Sequence, residues 1–308
     1  MDARPIPTVG DLVYQGIRAS DAVFTDASKQ ITTIIRDMPE LVSDVDRLRA
    51  MTRIDQVMDA SFGNTPGRAR ASDLYDVLVK ARTNAVIAPF DQAASFVQGV
   101  LQNDQLYRGL YGPVVDAQRA RQASLFDPER RWVREDGYRL SDRVWRGGRR
   151  MREEIDNTIR DAISKGQSAE QLARRLERYI DPAHAPTRWS RNGVHKRSIQ
   201  RSPYAASSAR RLARTEIMHA YGMATIESTR ATPGSIGIKW ATSGQHPAPD
   251  ECDDNASRDG YNLGRGVYPF DNVPRYPNHA NCMCNLQPVM ASREDVLDAI
   301  IAEYGGIV

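Results

Sequence analysis

Cysteine is scarce in this chain and histidine nearly so, with three of one and five of the other among 308 residues. An odd cysteine count argues against a secreted scaffold held by disulfides, which needs paired bridges in place of a large core. No stretch approaches the roughly 18 consecutive apolar residues that a membrane helix requires; the dense apolar patches are as short as Ala299-Ile300-Ile301-Ala302. Residues 1–12 are polar and proline-containing with no apolar centre, so a soluble chain, made in the cytoplasm without a leader, is expected. Glycine-rich phosphate loops, a nucleophile elbow and a complete catalytic constellation are all missing. A net charge of +3 carries little information by itself.

What cysteine there is falls in one place. Cys252 lies in Asp250-Glu251-Cys252-Asp253-Asp254-Asn255, and Cys282 and Cys284 lie in Pro277-Asn278-His279-Ala280-Asn281-Cys282-Met283-Cys284. Thiolates and neutral imidazole are the donors that zinc selects. Cys282 and Cys284 are two extended steps apart, so both sulfurs can face one way, and His279 can fold onto that side if the segment turns. The candidate ligands are therefore Cys252, His279, Cys282 and Cys284, with His246 or a carboxylate among Asp250, Asp253 and Asp254 as substitutes. A zinc held here would be structural, since a catalytic zinc keeps an open position and a nearby base. The alternative is that the cysteines pack as small buried hydrophobes. Regular periodicity is lost for roughly fifty residues around them, a length that a compact domain must tie down.

The rest of the chain reads as helices. Phe24, Ala27, Ile31, Ile34 and Ile35 recur at helical spacing before Pro39, and Leu48, Met51, Ile54 and Met58 form the next stripe. Ser72 caps a third helix through Leu74, Leu78 and Ala85 that Pro89 should end or kink. Residues 1–130 thus form a helical region without histidine or cysteine, suited to packing or partner contact. A second unit, 131–308, opens with a helical hairpin. Leu140, Val144, Met151, Ile155, Ile159 and Ile163 make its apolar stripe, Gly166 suits a left-handed cap, and Ser168 with Gln171 forms a capping box. A linker over 181–202 carries His184 and His195, both expected in solvent. A helix from Tyr204 to about Arg230 and a strand over 237–242 lead into a Cys/His lobe over 236–290, and Ser292 with Asp295 begins a last helix. The fold class expected is mainly α with a small α+β C-terminal lobe.

About half of the lysines and arginines fall between Arg130 and Arg214, a candidate footprint for DNA or another polyanion. Arg143, Arg146, Arg149, Arg150, Lys196 and Arg197 are its candidate contacts. The competing reading is a solvated helix face paired with Glu153, Glu154 and Glu177. Arg214-Thr215-Glu216 admits two roles: an active-site Arg and Glu, or a brace that fixes the irregular segment. His219, one turn from Glu216, suits a packed polar cluster.

Taken in order, Leu212-Ala213-Arg214-Thr215-Glu216, Lys239-Trp240-Ala241-Thr242, His246-Pro247-Ala248-Pro249-Asp250-Glu251-Cys252 and Pro277 to Cys284 resemble the Mu F-type head morphogenesis proteins, minor head proteins of tailed bacteriophages. The resemblance covers roughly residues 138–290 and departs from the family at Asn255 and Met283, where a second cysteine and a basic residue are usual. It implies a virion component and not an enzyme: a minor capsid protein inside the head near the portal, assembled in the host cytoplasm, with portal or major capsid protein and double-stranded DNA as partners. Arg214, Thr215, Glu216, Trp240 and Asp250 would then be structural motif residues. Two rivals come from other classes. One is a zinc-supported nuclease using His246, His279 and Asp250; the other is a toxin-like transferase with a site at Arg214 and Glu216.

Overall fold

The computed structural model describes residues 5–38, 42–102, 108–126, 139–184, 205–243, 249–279 and 282–307. Among them the chain is mainly helical, with one small antiparallel sheet toward the C-terminus. In order the elements are α1 (Val9–Arg36), α2 (Asp44–Phe62), α3 (Asp73–Leu101), α4 (Tyr111–Ala123), α5 (Leu140–Ser164), α6 (Ala169–Ile180), α7 (Ala205–Arg230), β1 (Ser235–Ala241), α8 (Glu251–Ser257), β2 (Val267–Tyr268), β3 (Asn285–Met290) and α9 (Arg293–Tyr304). None of the described helices is long and apolar enough to cross a membrane.

The chain gathers into two units, each built from separated segments. One comprises Tyr14–Lys80 with Pro128–Arg214; the other comprises Met1–Val13, Ala81–Asp127 and Thr215–Val308. The sequence reading divides the chain once, at 130/131, because a linear scan sees composition and punctuation but not which stripes share a core.

In the first unit the expected stripes do form the core. Ile31, Ile54, Met58, Ile155, Ile159 and Leu176 are sealed from solvent in one cluster. Ala162 is buried where Ile163 is only half-buried, because the stripe drifts round a helix whose turn is not a whole number of residues. Gly148 allows the close approach of α2, since a Cβ there would lie 3.0 Å from the Phe62 carbonyl oxygen. Ion pairs flank the contact: Arg152 grips Asp55 at 2.7 and 3.0 Å, and Arg47 meets Asp156 at 2.7 Å. The local signals hold as well. Ser43 and Ser168 each cap a helix through a reciprocal box, and Gly166 has φ 59°.

In the second unit α3 does not end at Pro89 but runs on to Leu101. Apolar side chains on both sides of the proline, including Val86, Phe90 and Val97, are buried, and that burial offsets the lost backbone bond. The sheet has the order β2-β1-β3. Period-two alternation sends Ile238 and Trp240 inward and Lys239 out. On the edge strand β3, Leu286 lies opposite Trp240 and Pro288 opposite Ile238; an edge is where a residue without an N–H is tolerated. α9 starts at Ser292, whose hydroxyl accepts from the Asp295 N–H at 3.2 Å. Its Val296 and Ile300 pack with Val97, Leu101, Leu110 and Val114.

Candidate metal centre

The first donor is positioned by α8. Asp250 caps this short helix, its Oδ1 accepting from the Cys252 N–H at 2.8 Å, and Asp253 returns the bond to the Asp250 N–H at 2.8 Å. Cys252 is thereby fixed in the first turn, fully buried. The sequence reading leaves this segment irregular; the acidic residues that suggest ligands are here the cap and first turn of a helix, where carboxylates complement the dipole.

The other donors come from the arm that leads into β3. The Cys282 N–H donates to the His279 carbonyl at 3.2 Å, so the chain turns and sets the two side chains together. Cys282 and Cys284 are buried while Met283 between them is 37% exposed, which is the expected alternation. Tyr276 anchors the arm by donating its hydroxyl to the Cys284 carbonyl at 2.6 Å and packing edge-on to Trp240 at 5.4 Å. Gly222 of α7 makes room for this ring, because any Cβ there would overlap it. Asn278 ties the arm to α8 by donating to the Glu251 carboxylate at 3.0 Å.

The donor atoms converge. Cys252 Sγ lies 3.7 Å from Cys282 Sγ and 3.5 Å from His279 Nε2, and the three ligand atoms are all within 4.8 Å of one another. A tetrahedral ion with bonds of about 2.3 Å to sulfur and 2.05 Å to nitrogen has ligand edges of about 3.8 and 3.6 Å. The observed spacings match those edges, and this group could hold a metal. Cys284 is buried two residues along from Cys282, and Asp250 Oδ2 lies 3.3 Å from His279 Nε2. The cysteines are all free, so no disulfide consumes them.

The Cys252 thiol is pushed up by its bonds to Cys282 and Cys284 and then by burial. Cys282 is pulled down by its bond with Cys252 but raised more by Cys284 and burial, to about 11. Burial, then the charges of Cys282 and Cys284, raises the Tyr276 phenol. Three sulfurs so close cannot all ionise without a cation, and a divalent ion reverses that balance.

Other sequence candidates lie elsewhere. His246, Lys196 and Arg197 fall outside the described residues, as does His195. His184 is exposed, 3.9 Å from Asp181. Trp240 is 1% exposed and serves as core for the arm. On α5, Arg146, Arg149 and Arg150 are exposed and Arg143 is half-buried; Arg149 pairs with Glu153 at 3.0 Å and stacks over Trp145. Thr215 is buried, and Arg214 is held below the usual guanidinium range by burial and then by Arg210.

Glu216 lies against Arg82 of α3 at 3.6 Å, both almost fully buried. The sequence reading seeks the partner of Glu216 in the irregular segment and assigns Arg82 no role. A signal was available, because Arg82 interrupts the apolar four-residue steps Leu74, Leu78, Val86. Comparison with protein-family models, with curated proteins and with solved structures finds no match for this chain.

Proposed function

We propose that this chain is a structural component of a tailed-phage head, a minor head protein whose C-terminal lobe is clamped by one zinc ion. The observation that carries the clamp is the donor geometry, with two thiols and an imidazole at tetrahedral spacing. Cys252, His279, Cys282 and Cys284 would hold the ion, with Asp250 as the alternative oxygen donor. The ion supplies crosslinking: it ties α8 to the arm before β3 and fixes the irregular segment between them. Cysteines 0–1% exposed leave little room for a substrate, which favours a clamp over a reaction centre. Glu216, 1% exposed and paired with Arg82, is suited to bracing α7 against α3 and not to serving as a base.

The head-protein reading rests on the order and spacing of the motifs around these same residues. The exposed Arg146, Arg149 and Arg150 are the described part of its DNA-facing surface, and portal or capsid protein would be the other partner. The test uses the full chain. Elemental analysis should find about one zinc per chain, lost together with thermal stability in His279→Ala and Cys282→Ala. Affinity for duplex DNA should fall steeply with added salt and weaken when Arg146, Arg149 and Arg150 are changed to Gln. Zinc-free protein of unaltered stability refutes the clamp, and salt-insensitive or absent DNA binding refutes the nucleic-acid contact.

A further inference from the structure

The arrangement of the three thiols supports more than a static crosslink. Resting on the zinc reading above, we infer that Cys252 and Cys282 form a reversible disulfide under peroxide, expelling the ion and making the clamp a redox-sensitive switch.

The geometry begins with the sulfurs. Cys252 Sγ and Cys282 Sγ are in contact at 3.7 Å; a disulfide needs about 2.05 Å, so closure must bring the sulfurs about 1.7 Å nearer. The two residues also come from different elements, α8 and the arm, so the bond would replace the metal crosslink with a covalent one of different shape. Cys284 is two residues from Cys282 and, like it, buried. It is the thiol left over when the other two pair.

Access comes from the imidazole side. The three thiols are 0–1% exposed, whereas the His279 side chain is 41% exposed. His279 is thus the donor that solvent reaches.

The chemistry balances. One thiolate attacks a peroxide oxygen, breaking the O–O bond to give a sulfenic acid and hydroxide. The second thiolate attacks that sulfur and expels another hydroxide, forming the S–S bond. The two sulfurs together lose two electrons, peroxide gains them, and two solvent protons turn the hydroxides to water. The pair then carries no negative charge with which to hold a divalent cation, leaving only His279 and Cys284 as donors. A dithiol reverses the process.

The experiment treats the purified, zinc-loaded full chain with hydrogen peroxide. It follows zinc with a chromogenic chelator, free thiols by alkylation, and linkage by peptide mapping without reduction. We expect about one zinc released per chain as two thiols are lost, with Cys252 joined to Cys282, and recovery on adding dithiothreitol and zinc. Zinc retained while peroxide is consumed, a bond to Cys284 instead, or sulfinic and sulfonic acids without linkage overturns the switch and leaves the clamp intact. A chain purified without zinc overturns the clamp itself, and the switch with it.

Discussion

Replacing Arg82 by Met tests whether the pair it makes with Glu216 is an electrostatic unit or a chance contact. Met keeps the unbranched stem and removes the charge. The two groups lie 3.6 Å apart with side chains 3% and 1% exposed. At an effective dielectric near 20 that separation corresponds to an attraction of roughly 5 kcal/mol. The attraction is largely cancelled by desolvation in the intact pair, but the cancellation is one-sided once the arginine is gone. Glu216 is then a buried carboxylate without its cation, and the expected loss is about 3–5 kcal/mol. Arg82→Met combined with Glu216→Leu removes both charges and should return to within about 1 kcal/mol of the parent. Urea denaturation followed by circular dichroism and tryptophan fluorescence gives the numbers, provided the slope with denaturant is unchanged. A cost for Arg82→Met alone below about 1 kcal/mol refutes the reasoning, as does a double variant that loses the sum of the two single costs.

Two further predictions concern packing and pH. Gly222→Ala forces the Tyr276 ring aside and breaks its bond to the Cys284 carbonyl; it should cost about 1–3 kcal/mol and speed zinc loss to a chelator, whereas unchanged thermal midpoint and zinc off-rate would show that the ring is not what seats the arm. Asp161 is held below the usual aspartate range by its bond to Lys165 and then by Arg175. A depressed carboxyl stabilises the fold above its unfolded value of about 3.9 and loses that contribution as the pH falls through its folded value. Asp161→Asn should therefore lower the urea midpoint at neutral pH and match the parent near pH 2; a gap that persists in acid assigns the effect to packing.

Legibility in the sequence followed the range of the interactions. Helices whose apolar residues repeat on one face were readable, as the core of α2, α5 and α6 attests, and so were caps such as Ser168 and Ser292, because both depend on neighbours within one turn. That Cys252, His279 and Cys282 could share a metal was readable for a different reason: cysteines and a histidine gathered so closely have few other uses together, and the alternation at Cys282 and Cys284 survives in the fold. Pro89 misled because tertiary burial outweighed a local penalty. α8 was hidden by its length, seven residues with acidic and polar side chains and no full apolar repeat. Arg82 and Gly222 matter through contacts more than fifty positions away in the chain, which no local pattern encodes.

The interleaving of the two units sets an order of events at the ribosome. The unit of Tyr14–Lys80 and Pro128–Arg214 is incomplete until Arg214 has been synthesised, and the other until residues beyond the arm emerge. Early helices such as α2, with its core face unsatisfied, must wait for α5 while some hundred codons are translated, at roughly 5–20 residues per second. Nascent chains halted near residue 130 should accordingly be captured by chaperones and proteases, and expression trials that cut the chain there would be slicing through both cores at once.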